Sequence, residues 1–288
     1  MVEIATQSLP HIEAELNYLA ATREKPVFYT YEPPPGTPWS TGESEAHTTT
    51  IYDLRPAASG FTLDNAGFQF VPHRSAVRDF WDEEEVKRVY YPESIALLKQ
   101  VTGASDVRVF DHTLRRRVPG VNDRERGPGF PRQPAIRVHV DQTATSGAAR
   151  LRELYPEEAD ELLRHPVAIV NLWRPIKSPA RDAPLAVCDA RSVAPKDLVA
   201  SDIIFRDRRG EIYNVVYNSA HRWFYAPEMR PDEALLIKCF DSRDDGAVAR
   251  FAPHTAFLDP TAPKDAPPRE SIELRTYLVF GKKQQVRQ

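Results

Sequence analysis

The sequence has very few cysteines and contains no long apolar run. Only Cys188 and Cys239 occur among 288 residues, too few for a disulfide framework, so a hydrophobic core must hold the fold together. No apolar stretch approaches the roughly 18 residues that a membrane helix needs. Residues 1–20 lack the basic and then apolar order of a signal peptide. We therefore expect a soluble, cytoplasmic protein.

An excess of charge of either sign is also missing. The chain carries 38 basic and 41 acidic side chains, a net charge of −3. This balance gives no electrostatic reason to expect nucleic acid or an anionic membrane surface as a partner. Glycine is scarce as well, with 12 residues against 26 prolines. Such a chain favours turns and strand ends over long helices.

Hydrophobic periodicity predicts helices mainly in the first half and strands in the second. We expect an N-terminal helix over residues 10–20, a hairpin over 61–73 and a helical stretch over 75–100 split at Pro92. Residues 147–164 should form a helix or a helix pair interrupted at Pro156. About seven short strands follow. The pattern is typical of a mainly β protein, a β-sandwich or jelly roll with helical support packed on its outside. We predict one domain, 1–288, with helices and flanking strands in 1–130 and the jelly-roll core with a metal site in 131–288.

The segment IRVHVDQT, residues 136–143, places polar groups on one face of a strand. Ile136, Val138 and Val140 alternate with basic, histidine and carboxylate side chains. Because alternate residues of a strand point to opposite faces, His139 and Asp141 should project together. They would supply two of the three ligands of a two-histidine, one-carboxylate centre for non-haem Fe(II).

A third ligand must come from a distant strand. His221 is our first choice, because it lies between two predicted strands, 82 residues after His139. His254, in FAPHTAF, is the second choice. A plain structural interpretation also exists: His139 could be a core histidine bonded to Asp141, and His221 could pack among aromatic side chains. The residues alone leave these alternatives open.

Several segments carry a specific resemblance over nearly the whole chain. They are VHVDQT at 138, NLWRPI at 171, PLAVCDARSV at 184, HRWFYAPEMRPDEALLIKCFDS at 221, PHTAF at 253 and RESIELR at 269. In these the chain resembles the fungal AsaB-type hydroxylase/desaturase family, which also includes the bacterial CmcJ-like protein of cephalosporin methoxylation.

The resemblance implies a double-stranded β-helix (jelly roll, cupin-like) with supporting N-terminal helices. It also implies an Fe(II)/2-oxoglutarate-dependent oxidoreductase of secondary metabolism. Its cofactors would be Fe(II), 2-oxoglutarate as cosubstrate and O₂. The metal and catalytic ligands of the family carry over to His139, Asp141 and His221. The reaction would be hydroxylation or desaturation of a small natural-product intermediate by abstraction of a hydrogen atom.

The far carboxylate of 2-oxoglutarate needs a buried cation. In many members of the family an arginine follows the distal histidine by roughly ten residues, but position 231 here is Pro. Lys238 and Arg174 lie in apolar runs, where a charge is costly unless it meets an anion, so both are candidates. The alternative for Lys238 is an ion pair with Asp241 or another structural acid. Asn171 and Ser242 are candidates for neutral hydrogen bonds to the cosubstrate.

Two further functions stay open. The chain could be a non-haem iron oxidase that uses O₂ without 2-oxoglutarate, or a non-catalytic jelly-roll binding protein. A closed structural zinc site would normally need four protein ligands, and the sequence offers three. We expect a small-molecule substrate, no nucleic acid and no membrane partner, and a homodimer on base rates alone.

Overall fold

The computed structural model describes residues 8–121 and 131–281 of the chain. Strands dominate these residues, which confirms the predicted mainly β fold. They are β1 (His11–Leu19), β2 (Val27–Tyr29), β3 (Ser44–Asp53), β4 (Phe68–Pro72), β5 (Asp106–Arg116), β6 (His139–Val140), β7 (Val167–Pro175), β8 (Leu185–Cys188), β9 (Leu198–Ile204), β10 (Arg209–Val215), β11 (Trp223–Tyr225), β12 (Glu233–Asp241), β13 (His254–Ala256) and β14 (Glu270–Val279).

The helices are short. They are α1 (Glu83–Glu85), α2 (Tyr91–Thr102), α3 (Ala144–Leu154) and α4 (Ala159–Leu162), with a π turn at Val86–Tyr90 and 3₁₀ turns at Arg55–Gly60, Ala190–Ser192 and Pro195–Asp197. The separation of α3 from α4 around Pro156 agrees with the predicted helix pair. Within the described residues, every helix falls short of the length and apolarity needed to span a membrane.

The N-terminal helix predicted over residues 10–20 is wrong, because this segment is strand β1. Ala14, Leu16 and Tyr18 are buried and alternate with more exposed residues. That is the period of two of a strand with one buried face, which the sequence interpretation overlooked. β1 pairs along its whole length with β3 in antiparallel register.

The hairpin predicted over residues 61–73 is also wrong. Only its second arm is a strand, β4, and this arm pairs with β12 from the far end of the chain. The first arm is a turn in which the Asn65 side chain accepts a hydrogen bond from the backbone N–H of Thr62. Such side-chain bonds to the backbone compete with strand pairing.

Pro92 does not split the helical stretch as predicted. Helical structure continues from Glu83 to Thr102, and Pro92 lies in the first turn of α2, directly after the π turn. Proline is tolerated in the first turn of a helix because its missing N–H and fixed φ are compatible with that position. The helix ends at Gly103, whose φ of 70° is left-handed.

Two sheets form the body of the protein. The larger has the strand order β1-β3-β11-β8-β13-β6-β10-β9-β2, and the smaller has the order β4-β12-β7-β14-β5. Strands from residues 1–130 and from residues 131–288 occur in both sheets. Neighbours in the sheet are therefore often remote in sequence, as a jelly-roll topology requires.

The main hydrophobic core lies between the two sheets. Val140, Val187 and Phe224 of the larger sheet share one buried cluster with Ile237 and Tyr277 of the smaller. A second cluster fills the outer face of the smaller sheet, where α2 covers it. The space between the sheets is thus apolar at one end, and it becomes polar where β6, β13 and β10 meet.

Candidate metal centre

His139 lies at the centre of three neighbouring strands. On one side it is directly opposite His254 of β13, and on the other it is directly opposite Asn214 of β10. Residues paired across antiparallel strands project on the same face of the sheet. The three side chains therefore form a row that faces the smaller sheet.

Asp141 follows β6 and turns back toward this row. Its position is fixed by the start of α3, where the Thr143 hydroxyl accepts the backbone N–H of Ser146 at 3.0 Å and the Ser146 hydroxyl accepts the N–H of Thr143 at 2.8 Å. This reciprocal cap holds the chain directly after Asp141. α3 in turn lies so close to the sheet that a Cβ at Gly147 would meet the Phe240 ring at 2.3 Å.

Three potential metal-binding atoms converge here. His139 Nε2 lies 3.3 Å and His254 Nε2 lies 3.9 Å from Asp141 Oδ1. The ligand atoms of the three residues all lie within 4.8 Å of one another. His139 and Asp141 thus project together, as expected from the alternation of residues 136–143.

The orientation of both imidazoles fits a metal ion. His139 Nδ1 lies 2.7 Å from the Arg137 carbonyl and His254 Nδ1 lies 3.0 Å from the Ala252 carbonyl, so each Nδ1–H donates to the backbone. Each Nε2 therefore faces the site and can coordinate a metal ion, His139 by releasing the proton that it shares with Asp141. His254 Nε2 is buried without a hydrogen-bond partner among the described residues.

The histidine that lies beside His139 and Asp141 is His254, whereas our first choice was His221. His221 is bonded through Nε2 to Asp197 Oδ2 at 3.1 Å and stacks on Tyr18, with ring centroids 5.8 Å apart. The structure does not bring it to His139 and Asp141, and His254, our second choice, occupies that place. β13 has only three residues, so no strand-length alternation marks it in the sequence.

Asp141 is held by the opposite sheet. Its Oδ2 accepts hydrogen bonds from Asn171 Nδ2 at 2.8 Å and from Arg275 Nε at 3.2 Å. Burial alone would raise the pKa of Asp141, but the Arg275 guanidinium and the His139 ring outweigh it and hold that pKa well below its usual range. The carboxylate is therefore ionised and ready to bind a cation.

Of the four residues predicted to bind the cosubstrate, Asn171 alone contacts the metal-ligand set. It lies on the inner face of β7, whereas Arg174 lies on the outer face, three residues further along. Arg174 donates to the His73 carbonyl at 3.0 Å and lies 5.0 Å from the Tyr90 ring. Arg174 is buried because it lies between the smaller sheet and the helices that cover its outer face.

Lys238 and Ser242 also have structural roles. Lys238 is buried in ion pairs with Asp241 at 2.8 Å and Asp64 at 2.9 Å. The Ser242 hydroxyl accepts the backbone N–H of Val167 at 2.9 Å. These contacts agree with the alternative interpretation of Lys238, an ion pair with Asp241 or another acid of the protein.

One buried arginine that the sequence interpretation missed is Arg269, on the inner face of the smaller sheet. Arg269 immediately precedes β14, donates to the Ala183 carbonyl at 2.7 Å and lies 5.3 Å from the Trp173 ring. Its Nε is buried without a partner among the described residues. Burial, reinforced by the charge of Arg115, lowers the pKa of Arg269 to about 9.

A signal for Arg269 did exist in the sequence. The expected arginine was sought near position 231 because His221 was taken as the distal histidine. Counted from His254, the next strand is β14, and Arg269 stands at its start. A search that starts from His221 therefore does not reach Arg269.

An open cavity of about 2370 Å³ leads to the site. His139 and Asp141 line it, together with Arg115, Arg275 and Asn214. This space is larger than the roughly 300–1,000 Å³ of most small-molecule sites. A ligand can therefore reach the metal-binding atoms from solvent.

Fold and site together define a jelly-roll protein with a two-histidine, one-carboxylate centre, the donor set of non-haem iron enzymes. The family described as "Oxidoreductase/YMDC permease-like domain" matches residues 16–280, so the chain belongs to this oxidoreductase family. Its curated relatives confirm the resemblance to hydroxylase/desaturase proteins that the sequence motifs indicated.

Two relatives illustrate the similarity. The chain is 38% identical to "Hydroxylase/desaturase efuI" of Hormonema carpetanum over 253 residues, which cover 82% of this chain and 84% of efuI. It is 32% identical to "Fe(II)/2-oxoglutarate-dependent dioxygenase nvfI" of Aspergillus novofumigatus over 269 residues, which cover 91% and 93% of the two chains.

A solved structure confirms the fold. The "iron and alpha-ketoglutarate-dependent endoperoxidase NvfI" superposes with a TM-score of 0.82 at 30% sequence identity, covering 94% of this chain and 99% of that one. The predicted jelly-roll class is therefore confirmed over nearly the whole length.

Proposed function

We propose that this protein is an Fe(II)/2-oxoglutarate-dependent oxygenase that hydroxylates or desaturates a small natural-product intermediate. The observation that carries the proposal is the convergence of His139 Nε2, His254 Nε2 and Asp141 Oδ1, with the His254 nitrogen buried and unpartnered among the described residues. The named activities of the efuI and nvfI relatives support the same reaction class.

The three side chains would hold Fe(II) on one face and leave the cavity side open. Such a facial set has room for a cosubstrate and O₂ beside three protein ligands. When bound, iron supplies the oxidising chemistry that removes a hydrogen atom from an unreactive C–H bond, while 2-oxoglutarate is converted to succinate and CO₂. The protein supplies binding, orientation and exclusion of water.

Asn171 and Arg275 have a positioning role. Both bind Asp141 Oδ2, so the other oxygen, Oδ1, stays directed at the two imidazoles. Glu273 accepts a second hydrogen bond from Asn171 at 2.5 Å, which fixes the amide in turn. Such outer contacts orient metal ligands and raise metal affinity.

Arg269 is our candidate for the anchor of the far carboxylate of 2-oxoglutarate. It is fully buried on the inner sheet face, it follows the distal histidine, and its Nε has no partner among the described residues. Its lowered pKa shows that burial and Arg115 leave its charge incompletely compensated. A dianion bound beside both guanidinium groups would supply the compensation.

We further propose a small-molecule substrate taken up through the open cavity. The cytoplasmic location and the homodimer stay predictions.

The test is anaerobic titration of the iron-loaded protein with 2-oxoglutarate, followed by admission of O₂. We expect a weak visible charge-transfer band and then succinate in step with oxygen consumption. Oxygen consumption that needs iron but not 2-oxoglutarate would instead identify an oxidase of the alternative type. If neither the band nor succinate forms, the proposal fails and a non-catalytic binding protein is favoured.

A further inference from the structure

Asn214 stands out among the polar residues of the cavity. It is 1% exposed, it lines the cavity, and it lies opposite His139 in the register of β10 and β6. Its Nδ2 is buried without a hydrogen-bond partner among the described residues. Among the described residues, the hydrogen bonds of the three metal-binding side chains do not involve the Asn214 amide.

A buried amide donor without a partner is unfavourable. Native proteins satisfy most buried polar groups, and an orphaned donor carries a desolvation penalty that a bonded one avoids. Where such a donor faces an open cavity, its partner is a water molecule or a ligand group that displaces this water. Since the group is a neutral N–H donor, the partner is an oxygen acceptor.

Asn214 lies on the side of the metal centre away from the proposed anchor of 2-oxoglutarate, which favours a contact with the substrate. Along the larger sheet the order β8, β13, β6, β10 places Asn214 on one side of His139 and His254 on the other. Arg269 donates to Ala183, just before β8, and so lies toward the His254 side. The proposed anchor of 2-oxoglutarate and the amide of Asn214 thus flank the centre from opposite directions.

Apolar side chains at the rim of the cavity indicate the chemical character of the rest of the ligand. Ile136 and Leu258 line it and are 56% and 58% exposed, two of the large apolar side chains most open to solvent. An apolar ligand bound in the cavity would cover both side chains, and removing that apolar surface from water is favourable. The cavity volume also exceeds what a molecule of the size of 2-oxoglutarate would fill.

We infer that Asn214 is a specificity-determining residue whose Nδ2 donates a hydrogen bond to a carbonyl or hydroxyl oxygen of a bulky, mainly apolar substrate. The apolar body lies against Ile136 and Leu258, and the oxygen at Asn214 sets which C–H bonds face the metal centre. This inference rests on the proposed function and adds the substrate class.

The first experiment needs no substrate. Asn214→Leu keeps the shape of the side chain and removes the orphaned donor, so the ligand-free variant should unfold at the same temperature as the wild type or higher. The matched control is Asn218→Leu, because Asn218 Nδ2 is bonded to Asp197 Oδ2 at 3.0 Å. We expect the control to unfold at a lower temperature. A clear loss of stability in Asn214→Leu would show a structural role and overturn the inference.

The second experiment uses iron- and 2-oxoglutarate-loaded enzyme with matched pairs of a cyclic ketone and its parent hydrocarbon, namely camphor with bornane and androstanone with androstane. We expect the ketones to stimulate succinate formation in the wild type more than the hydrocarbons. In Asn214→Leu the KM for a stimulating ketone should rise roughly tenfold, as for a lost neutral hydrogen bond. Asn214→Gln, which keeps the amide, should recover part of the loss.

The KM for 2-oxoglutarate and the charge-transfer band should stay unchanged in Asn214→Leu. A raised KM for 2-oxoglutarate would assign the amide to the cosubstrate, and equal response to ketone and hydrocarbon, or to neither, would refute the substrate class. These results are distinguishable from a failure of the proposed function, which would already abolish the band and the succinate in the wild type.

Discussion

His139 and His254 lie directly opposite each other on antiparallel strands β6 and β13, with ring centroids 4.5 Å apart. The two imidazoles are 115 residues apart in sequence, and the register of the sheet alone brings them together. A shift of one residue in this register would turn His254 to the other face. The metal centre therefore depends on the pairing of two very short strands.

The hydrogen bond from Asn171 to Asp141 should control metal affinity. In Asn171→Ala, Asp141 Oδ2 loses its 2.8 Å contact and the carboxylate can rotate away from the two imidazoles. We expect affinity for Fe(II) to fall by about 10–100-fold, as for other outer contacts of metal ligands. Metal titration monitored by the charge-transfer band measures the change. Unaltered affinity would mean that Arg275 alone orients Asp141.

Arg269→Gln should weaken binding of 2-oxoglutarate. The substitution removes the buried charge but keeps a hydrogen-bond donor, so we expect the KM for 2-oxoglutarate to rise by roughly tenfold or more, the loss of a charge-assisted bond. Steady-state succinate formation at varied 2-oxoglutarate gives the value. Arg174→Gln is the matched control, because Arg174 contacts the outer helices instead. If the control raises this KM and Arg269→Gln does not, the anchor lies where the sequence first suggested.

Lys238→Met should reduce stability without affecting the cosubstrate. The change leaves Asp241 without its 2.8 Å partner, although Arg243 still binds Asp241 at 2.7 Å. Because one cation remains, we expect the free energy of unfolding to fall by about 1–3 kcal/mol, less than for a fully unpaired buried charge. Urea unfolding measures it. A changed KM for 2-oxoglutarate in a folded variant would restore Lys238 as a binding residue.

Local hydrophobic periodicity made part of the fold and part of the metal centre predictable from the sequence. The strands of the second half and the shared face of His139 and Asp141 follow from alternation over a few residues. The third ligand does not, because β13 is three residues long and its pairing with β6 is a long-range property. The burial of Lys238 and its pairing with Asp241 were accessible from the sequence, but its second partner, Asp64, lies 174 residues away.

His221 should make the protein less stable in mild acid. Burial lowers the pKa of His221 below its ordinary value of 6.5, although Asp197 opposes the effect. A group whose pKa is lower in the folded state resists protonation there, so the unfolded state binds more protons as the pH falls below 6.5, and stability is lost. One such group changes the free energy of unfolding by up to about 1.4 kcal/mol per pH unit.

His221→Gln removes this titration. Comparing urea unfolding near pH 7.5 and about pH 5.5, we expect a smaller loss of stability in the variant than in the wild type. An equal or greater loss in the variant would contradict the buried, neutral state of His221.

The most direct measurement compares His254→Gln with His221→Gln, two identical substitutions at the two candidate ligands. Each variant is loaded anaerobically with Fe(II) and 2-oxoglutarate, and the visible charge-transfer band is recorded beside circular dichroism as the check on folding. We predict that the band disappears in His254→Gln and persists in His221→Gln. Persistence in His254→Gln with loss in a folded His221→Gln would contradict the metal centre described here.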